Sequence, residues 1–255
     1  MHTMRFVTFF VGTAIIVMVQ QGSLAVAKPK SIIEVPCIPA TSGTGPAPGG
    51  VTALTPGSPP MAVIVNPQSS EEEQWNSTAL EGCAKLKSLI TPGNSKLLGF
   101  DTAQDALLTH ILIPPFDIYT IGIDKLRAYQ PGDPVTPLIK QLASRLYPLS
   151  VRGIVRSSLV VSRVGGTGTL TTTAWGLEKL ITLVMMYKER DSDFVVWIPA
   201  LNLHFLGDHP DESLMLKPLA TRTLYGLTEG VPVHAAVVFA LLAQQAREHD
   251  MNSPG

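Results

Sequence analysis

The spacing of apolar residues predicts a mixture of helices and strands. Ser70 and Glu73 form a capping-box pattern, and apolar side chains follow at helical spacing, so we expect a helix over residues 71–90. A second helix is predicted to begin at Asp101 and to end before Pro114, because proline cannot continue a helix. The ordered part of the chain is therefore expected to begin with helices.

Six elements are predicted to alternate in the next part of the chain, residues 116–206. They are a strand, a helix, two strands joined by a glycine-rich turn, a second helix and a strand that is apolar on both faces. Their predicted positions are 116–126, 134–147, 150–164, 167–175, 177–187 and 193–206. This β-α-β-β-α-β order predicts an α+β, ferredoxin-like core, in which a four-stranded antiparallel sheet carries both helices on one face.

Two more helices are predicted after this core, between residues 212 and 249. The last one contains the stretch Val231–Ala243, which is apolar on nearly all sides and has His234 as its polar side chain. Such a helix must be buried, so Val238 is expected either to fill the core or to face a partner. Burial in the core is the favoured interpretation, because monomers rarely leave an apolar patch of that size exposed.

The first residues have the pattern of a secretory signal peptide. Arg5 precedes the apolar run Phe6–Val19, and the small residues of Ala25–Ala27 supply a cleavage pattern. We expect cleavage after residue 27 and a periplasmic or secreted mature protein. An uncleaved signal anchor is the alternative, and the anchor would then be the predicted membrane contact.

The rest of the chain is predicted to form an arm, one domain and a tail. The arm is rich in proline and glycine and is expected to be disordered. The single α+β domain contains the core and the C-terminal helices. The predicted boundaries are 1–27 for the signal peptide, 28–69 for the arm, 70–250 for the domain, 116–206 for its core, 212–249 for the C-terminal helices and 251–255 for the tail.

The composition is that of a globular protein with few charges. Hydrophobic residues make up 45% of the 255 residues, charged residues make up 15%, and the formal net charge is −1. Nucleic-acid binders usually carry a basic face. The charge balance therefore argues against a nucleic-acid partner.

Both cysteines, Cys37 and Cys83, lie in the part of the chain that is predicted to be exported. Export favours an oxidising compartment, where two cysteines tend to pair, so we predict a Cys37–Cys83 disulfide. Two unrelated thiols are the alternative. The bridge is expected to be structural, because the sequence has no Cys-x-x-Cys motif.

Familiar catalytic signatures are missing from the sequence. It contains no G-x-S-x-G or H-E-x-x-H motif and no lysine-bearing phosphate loop. The glycines of the turn at 165–168 precede a threonine-rich strand, not the helix N-terminus that a nucleotide phosphate would need. The sequence therefore predicts no cofactor.

The segment after the last predicted strand raises the question of a metal site. His204, Asp208 and His209 could supply imidazole and carboxylate ligands to a divalent metal, with Glu212 as a general base. The same residues also fit a buried strand that runs into a turn, with Asp211 as a helix cap. We favour the turn and keep the metal site as the alternative.

Arg152 and Arg156 are a second candidate site. Their spacing puts both on one face of a strand, where they could bind an anionic ligand or partner. Arg163 has the opposite parity. A solvated sheet face or a protected edge explains the same two arginines without any ligand.

The sequence as a whole favours a non-enzymatic protein of the cell envelope or secretion machinery, or a protein-interaction module. The export pattern supports this interpretation, and so do the missing catalytic motifs. A protein partner or self-association is expected. The alternative is a secreted metal-dependent hydrolase built on His204, Asp208 and His209.

Overall fold

The computed structural model describes residues 32–37, 67–165, 168–219 and 226–251. The predicted signal peptide, residues 28–31 and 38–66 of the predicted arm, and residues 252–255 of the predicted tail lie outside these ranges.

Strands and helices alternate irregularly along the described residues. The strands are β1 (Ile33–Pro36), β2 (Thr109–Ile113), β3 (Phe116–Ile121), β4 (Ile139–Val151), β5 (Ile154–Val164), β6 (Thr169–Gly176), β7 (Phe194–Ile198), β8 (Leu203–Gly207), β9 (Met215–Pro218) and β10 (Val233–His234). The helices are α1 (Pro67–Leu89), α2 (Ala103–Leu107), α3 (Ile123–Ala128), α4 (Glu178–Tyr187) and α5 (Ala235–Met251).

The strands form one mixed sheet of ten strands. The main order is β6, β5, β4, β3, β7, β8, β9, β10, and among these pairs β3 and β7 run parallel. β4 is long enough to pair with β3 through its first half and with β2 through its last residues, while β5 pairs with its other edge. β1 lies outside β2.

The protein is therefore α+β, as predicted, but the predicted four-stranded ferredoxin-like sheet is not what forms. The main difference lies at residues 134–147, predicted as a helix, where β4 begins at Ile139. The apolar residues there fit helical spacing, but β4 pairs with β3 from Ile139 and with β5 from Ser144, and this pairing stabilises the strand and overrides that local pattern. Pro148, inside β4, would also interrupt a helix that continued.

Three other predicted elements divide in two. The predicted helix from Asp101 is the short α2 followed by β2, and the predicted strand 116–126 is β3 followed by α3. The apolar run 193–206 is the antiparallel pair β7 and β8, joined by a turn at residues 199–202. Each half of that run is buried because it lies inside the sheet, so one long strand and two short ones give the same apolar pattern.

The region 212–218 was predicted to start a helix, and it forms a turn and β9 instead. The backbone N–H of Leu214 bonds to the carbonyl of Asp211, and β9 then pairs with β8. The predicted disordered arm also contains ordered residues, because β1 pairs with β2 and α1 begins at Pro67.

Other predictions are confirmed. The structure has helices where 71–90 and 177–187 were predicted, and β5 and β6 form the predicted hairpin. The disulfide Cys37–Cys83 is present, with a Cα–Cα distance of 5.7 Å. It joins the end of β1 to α1 and is compatible with an extracytoplasmic location.

The helices lie on both faces of the sheet. Leu146 and Val195 pack in the same cluster as α4, whereas their neighbours Tyr147 and Val196 pack with α1 and α5 respectively. Successive residues of a strand point to opposite faces. It follows that α4 covers one face, and α1 and α5 share the other.

The C-terminal helix α5 is buried on one side. Val238, Phe239 and Leu242 are fully buried, and Val237 on the outer side is 53% exposed. Among the described residues, no helix is both long enough and apolar enough to cross a membrane. Because Val237 is exposed, the outer side of α5 is partly apolar.

Candidate functional site

The residues of the alternative metal site make contacts within the chain. His204 lies in β8 and stacks against Trp197 of β7, with the two ring centroids 6.2 Å apart. Burial lowers the pKa of His204, because it disfavours the charged imidazolium. The ring thus packs on the indole of the neighbouring strand.

Asp208 and His209 form the turn after β8. One carboxylate oxygen of Asp208 accepts hydrogen bonds from the backbone N–H groups of His209 and Met215, at 2.8 and 3.0 Å. Arg190 donates to Nε2 of His209 at 2.8 Å and lies 3.6 Å from the other Asp208 oxygen. The described part of the chain contains no group of three or more histidine, cysteine, aspartate or glutamate side chains placed to hold a metal ion.

Glu212 links two distant parts of the chain. Its carboxylate accepts hydrogen bonds from the backbone N–H groups of Val135 and Thr136, at 2.8 and 3.0 Å, and from the Thr136 hydroxyl. These bonds, led by the one from the Thr136 hydroxyl, lower the pKa of Glu212. A carboxylate tied in this way is an anchor for the segment that begins at Val135.

The two candidate arginines occupy different backbone environments. Arg152 is in the turn between β4 and β5, not in a strand, and Arg156 lies in β5 and pairs with Asp101 at 3.3 Å. Even so, both arginines line one small pocket of about 100 Å³. The residues that line it are Phe100, Asp101, Asp105, Val151, Arg152, Ile154 and Arg156.

Several aliphatic side chains are exposed on the segments around this pocket. We use the name turn surface for Arg152 and Arg156 together with the exposed aliphatic residues Leu97, Leu107, Leu108, Ile154 and Leu177. Their exposed fractions are 84% for Leu97, 65% for Leu107, 43% for Leu108, 55% for Ile154 and 46% for Leu177.

Close packing brings these segments to one end of the sheet. The Ser157 hydroxyl donates to the carbonyl of Leu98 at 2.6 Å. Gly99 has φ +86°, and a Cβ there would lie 2.2 Å from the carbonyl oxygen of Arg156, so only glycine permits this approach. The carbonyl of Leu97 in turn lies beside Gly176, at 3.7 Å from where its Cβ would be. The loop before α2, the start of β5 and the start of α4 therefore meet here.

The aliphatic part of the turn surface was missed by the sequence analysis. Ile154 and Leu177 each follow a glycine directly, and Leu97 and Leu98 precede Gly99. An aliphatic residue beside a turn glycine, where a polar residue would serve the turn equally well, is a signal that could have drawn attention to them.

A second charged group was also missed, because Arg145 was assigned to a predicted helix. Arg145 and Arg163 both lie over the ring of Trp75, with guanidinium carbons 4.8 and 5.7 Å from its centroid. Arg145 pairs with Glu72 at 2.6 Å and Arg163 with Glu71 at 2.8 Å. Both arginines are thus paired with α1, which gives this group a structural role.

Comparisons of the chain with models of protein families, with curated proteins and with solved structures found no match.

Proposed function

We propose that this chain is an exported, non-enzymatic protein-interaction module that binds a protein partner through the turn surface. The observation that carries the proposal is the exposure of Leu97 and Ile154, at 84% and 55%, on segments that pack against each other at Gly99 and Ser157. Large apolar side chains that stay in water at one place typically mark a protein-binding site. A second copy of the chain would serve as such a partner.

The proposed location follows from two features. The sequence pattern of residues 1–27 is that of a signal peptide, and the Cys37–Cys83 disulfide is compatible with an oxidising compartment. We propose that the mature protein works in the periplasm or outside the cell as part of the envelope or of secretion machinery.

The alternative of a metal-dependent hydrolase has no such support. Asp208, His209 and Glu212 already have hydrogen-bond partners within the chain, and His204 stacks on Trp197. Among the described residues, no group of three or more histidine, cysteine, aspartate or glutamate side chains is placed to hold a metal ion. The interaction module is therefore the function that we propose.

Site-specific photo-crosslinking in the native host tests the proposal. A photoreactive amino acid is placed in the full chain at Leu97, at Ile154 or, as a matched control, at Met186, which is 65% exposed on α4. We expect positions 97 and 154 to give the same discrete crosslinked product, identified by mass spectrometry as one partner protein or a second copy. Labelling at 97 and 154 that does not exceed labelling at 186 would overturn the proposal.

A further inference from the structure

We infer that Arg152 binds a carboxylate of the partner, an acidic side chain flanked by aliphatic residues that contact Ile154 and its neighbours. The inference rests on the proposed function and names the chemistry that the turn surface would recognise.

The backbone at Arg152 is unusual for an arginine. Arg152 and Gly153 form a two-residue turn, since Val151 pairs directly with Ile154, and their φ values are +53° and +78°. Turns with two positive φ values favour asparagine, aspartate or glycine at the first position, because a longer side chain crowds the left-handed backbone. Strained positions of this kind cluster at functional sites.

The charges near Arg152 leave its guanidinium available. Arg152 is exposed, and within the described residues it makes no hydrogen bond or ion pair. The nearby carboxylates are engaged elsewhere: Asp101 pairs with Arg156 at 3.3 Å, and Asp105 accepts hydrogen bonds from the backbone and hydroxyl of Thr102, both at 2.9 Å. An added carboxylate would therefore find an unpaired guanidinium at Arg152.

The pocket beside Arg152 is large enough for one carboxylate group. A volume of about 100 Å³ accommodates a carboxylate, and a guanidinium can bind one through two parallel hydrogen bonds. The remaining lining comes from Phe100, Val151 and Ile154, which offer apolar contact to the residues beside the acid. The occupant that fits is thus an aspartate or glutamate within an aliphatic segment.

A protein carboxylate fits this surface better than an anionic bilayer does. Asp101 and Asp105 line the same pocket, Glu178 lies beside Gly99, and the whole chain has a formal net charge of −1. A flat layer of anionic headgroups would meet these carboxylates together with the arginines. A single acidic side chain brings one negative charge near these carboxylates, whereas a bilayer would bring many.

Two matched peptides test the inference on the full chain. The probes are acetyl-Gly-Leu-Asp-Leu-Gly-amide and the same peptide with Asn in place of Asp, titrated while the Nε–H resonance of Arg152 is followed by NMR. We expect the Asp peptide to shift this resonance and to bind about tenfold more tightly, the factor typical of one hydrogen-bonded charge pair.

The variant Arg152→Gly separates recognition from folding. Glycine accepts the positive φ, so we expect an unchanged or higher unfolding temperature and loss of the preference for Asp over Asn. Lys140→Ala, which removes an exposed cation from another part of the sheet, should keep the preference.

Three other outcomes of these experiments would overturn the inference. Equal binding of the two peptides, or a preference that survives in Arg152→Gly, would overturn the inference. Binding to vesicles of phosphatidylglycerol without any Asp preference would overturn it in favour of a membrane surface. If crosslinking at Leu97 still identifies a partner in these cases, the proposed function stands without the carboxylate, so the two failures are distinguishable.

Discussion

Arg145 lies across the indole ring of Trp75, and the pair fastens α1 to the central strand of the sheet. The guanidinium carbon is 4.8 Å from the ring centroid, and the same guanidinium contacts Glu72 of α1 and Asp117 of β3, at 2.6 and 3.3 Å. Trp75 is 4% exposed and packs with Tyr147 in the core under α1. The contact thus joins a buried aromatic residue to a charge network at the rim.

The first prediction follows from this burial. Trp75→Ala should lower the free energy of unfolding by about 3–5 kcal/mol, because it leaves a cavity where the indole was. Trp197→Ala removes an indole that is 38% exposed, and its loss should be clearly smaller. Urea denaturation followed by circular dichroism measures both. Equal losses would show that Trp75 does not carry the packing of α1.

The second prediction concerns the disulfide. Cys37 and Cys83 are separated by 46 positions, and for a loop of that length the chain-entropy argument gives about 4 kcal/mol of stabilisation. We expect the double variant Cys37→Ser, Cys83→Ser to lose an amount of this order. Dithiothreitol should weaken the parent protein to a similar extent and leave the double variant unaffected. A reductant effect on the double variant would place the loss elsewhere.

The third prediction is that the stability of the folded protein depends on pH through Glu212. Hydrogen bonds from Thr136 and Val135 lower its pKa in the folded protein relative to the unfolded chain. The folded state therefore gains stability from Glu212 above the unfolded pKa, about 4.5, and loses it as the pH falls below that value towards the lowered folded pKa.

The variant Glu212→Gln checks this assignment. Urea denaturation of the parent and the variant at pH 7 and at steps below 4.5 gives the stability difference at each pH. That difference should shrink as the pH falls, since protonation removes the advantage of the parent carboxylate. A constant difference across the range would assign the acid sensitivity to other groups.

The fourth prediction uses neighbouring valines of α5. Val238 is fully buried, so Val238→Asp should place a carboxylate in the core, cost several kcal/mol and leave little folded protein. Val237 is 53% exposed, and Val237→Asp is the matched control, which should stay folded with a native circular dichroism spectrum. A folded Val238→Asp variant would contradict the packing of α5.

The sequence was informative where local signals and tertiary packing agree. The helix α1 was predicted from its apolar spacing, although it begins at Pro67, before the predicted cap at Ser70. The β5–β6 hairpin was predicted from glycines between β-branched runs. The sequence was misleading where local signals and tertiary packing conflict. Ile139, Leu142 and Leu146 fit a helical stripe, but three neighbouring strands pair with β4 and determine its conformation.

The contacts of the candidate site residues were equally hard to predict from the sequence. A cluster of histidines and carboxylates in sequence resembles a ligand set, yet Asp208 is used by its own turn and Glu212 by a segment far away in the chain. Those partners depend on tertiary structure. The arginines were noticed through a strand spacing, although Arg152 lies in a turn, and the exposure of Leu97 depends on how the loop before α2 packs against β5.

The disulfide has a covalent consequence for residues 38–66. Cys37 precedes this segment, α1 begins directly after it at Pro67, and Cys83 lies within α1, so the bridge closes the chain into a ring. A protease that cuts one peptide bond between residues 38 and 66 would open that ring without releasing a fragment. The cut protein would migrate as one band without reductant and as two bands with it, and β1 would stay attached to the sheet after the backbone beside it is broken.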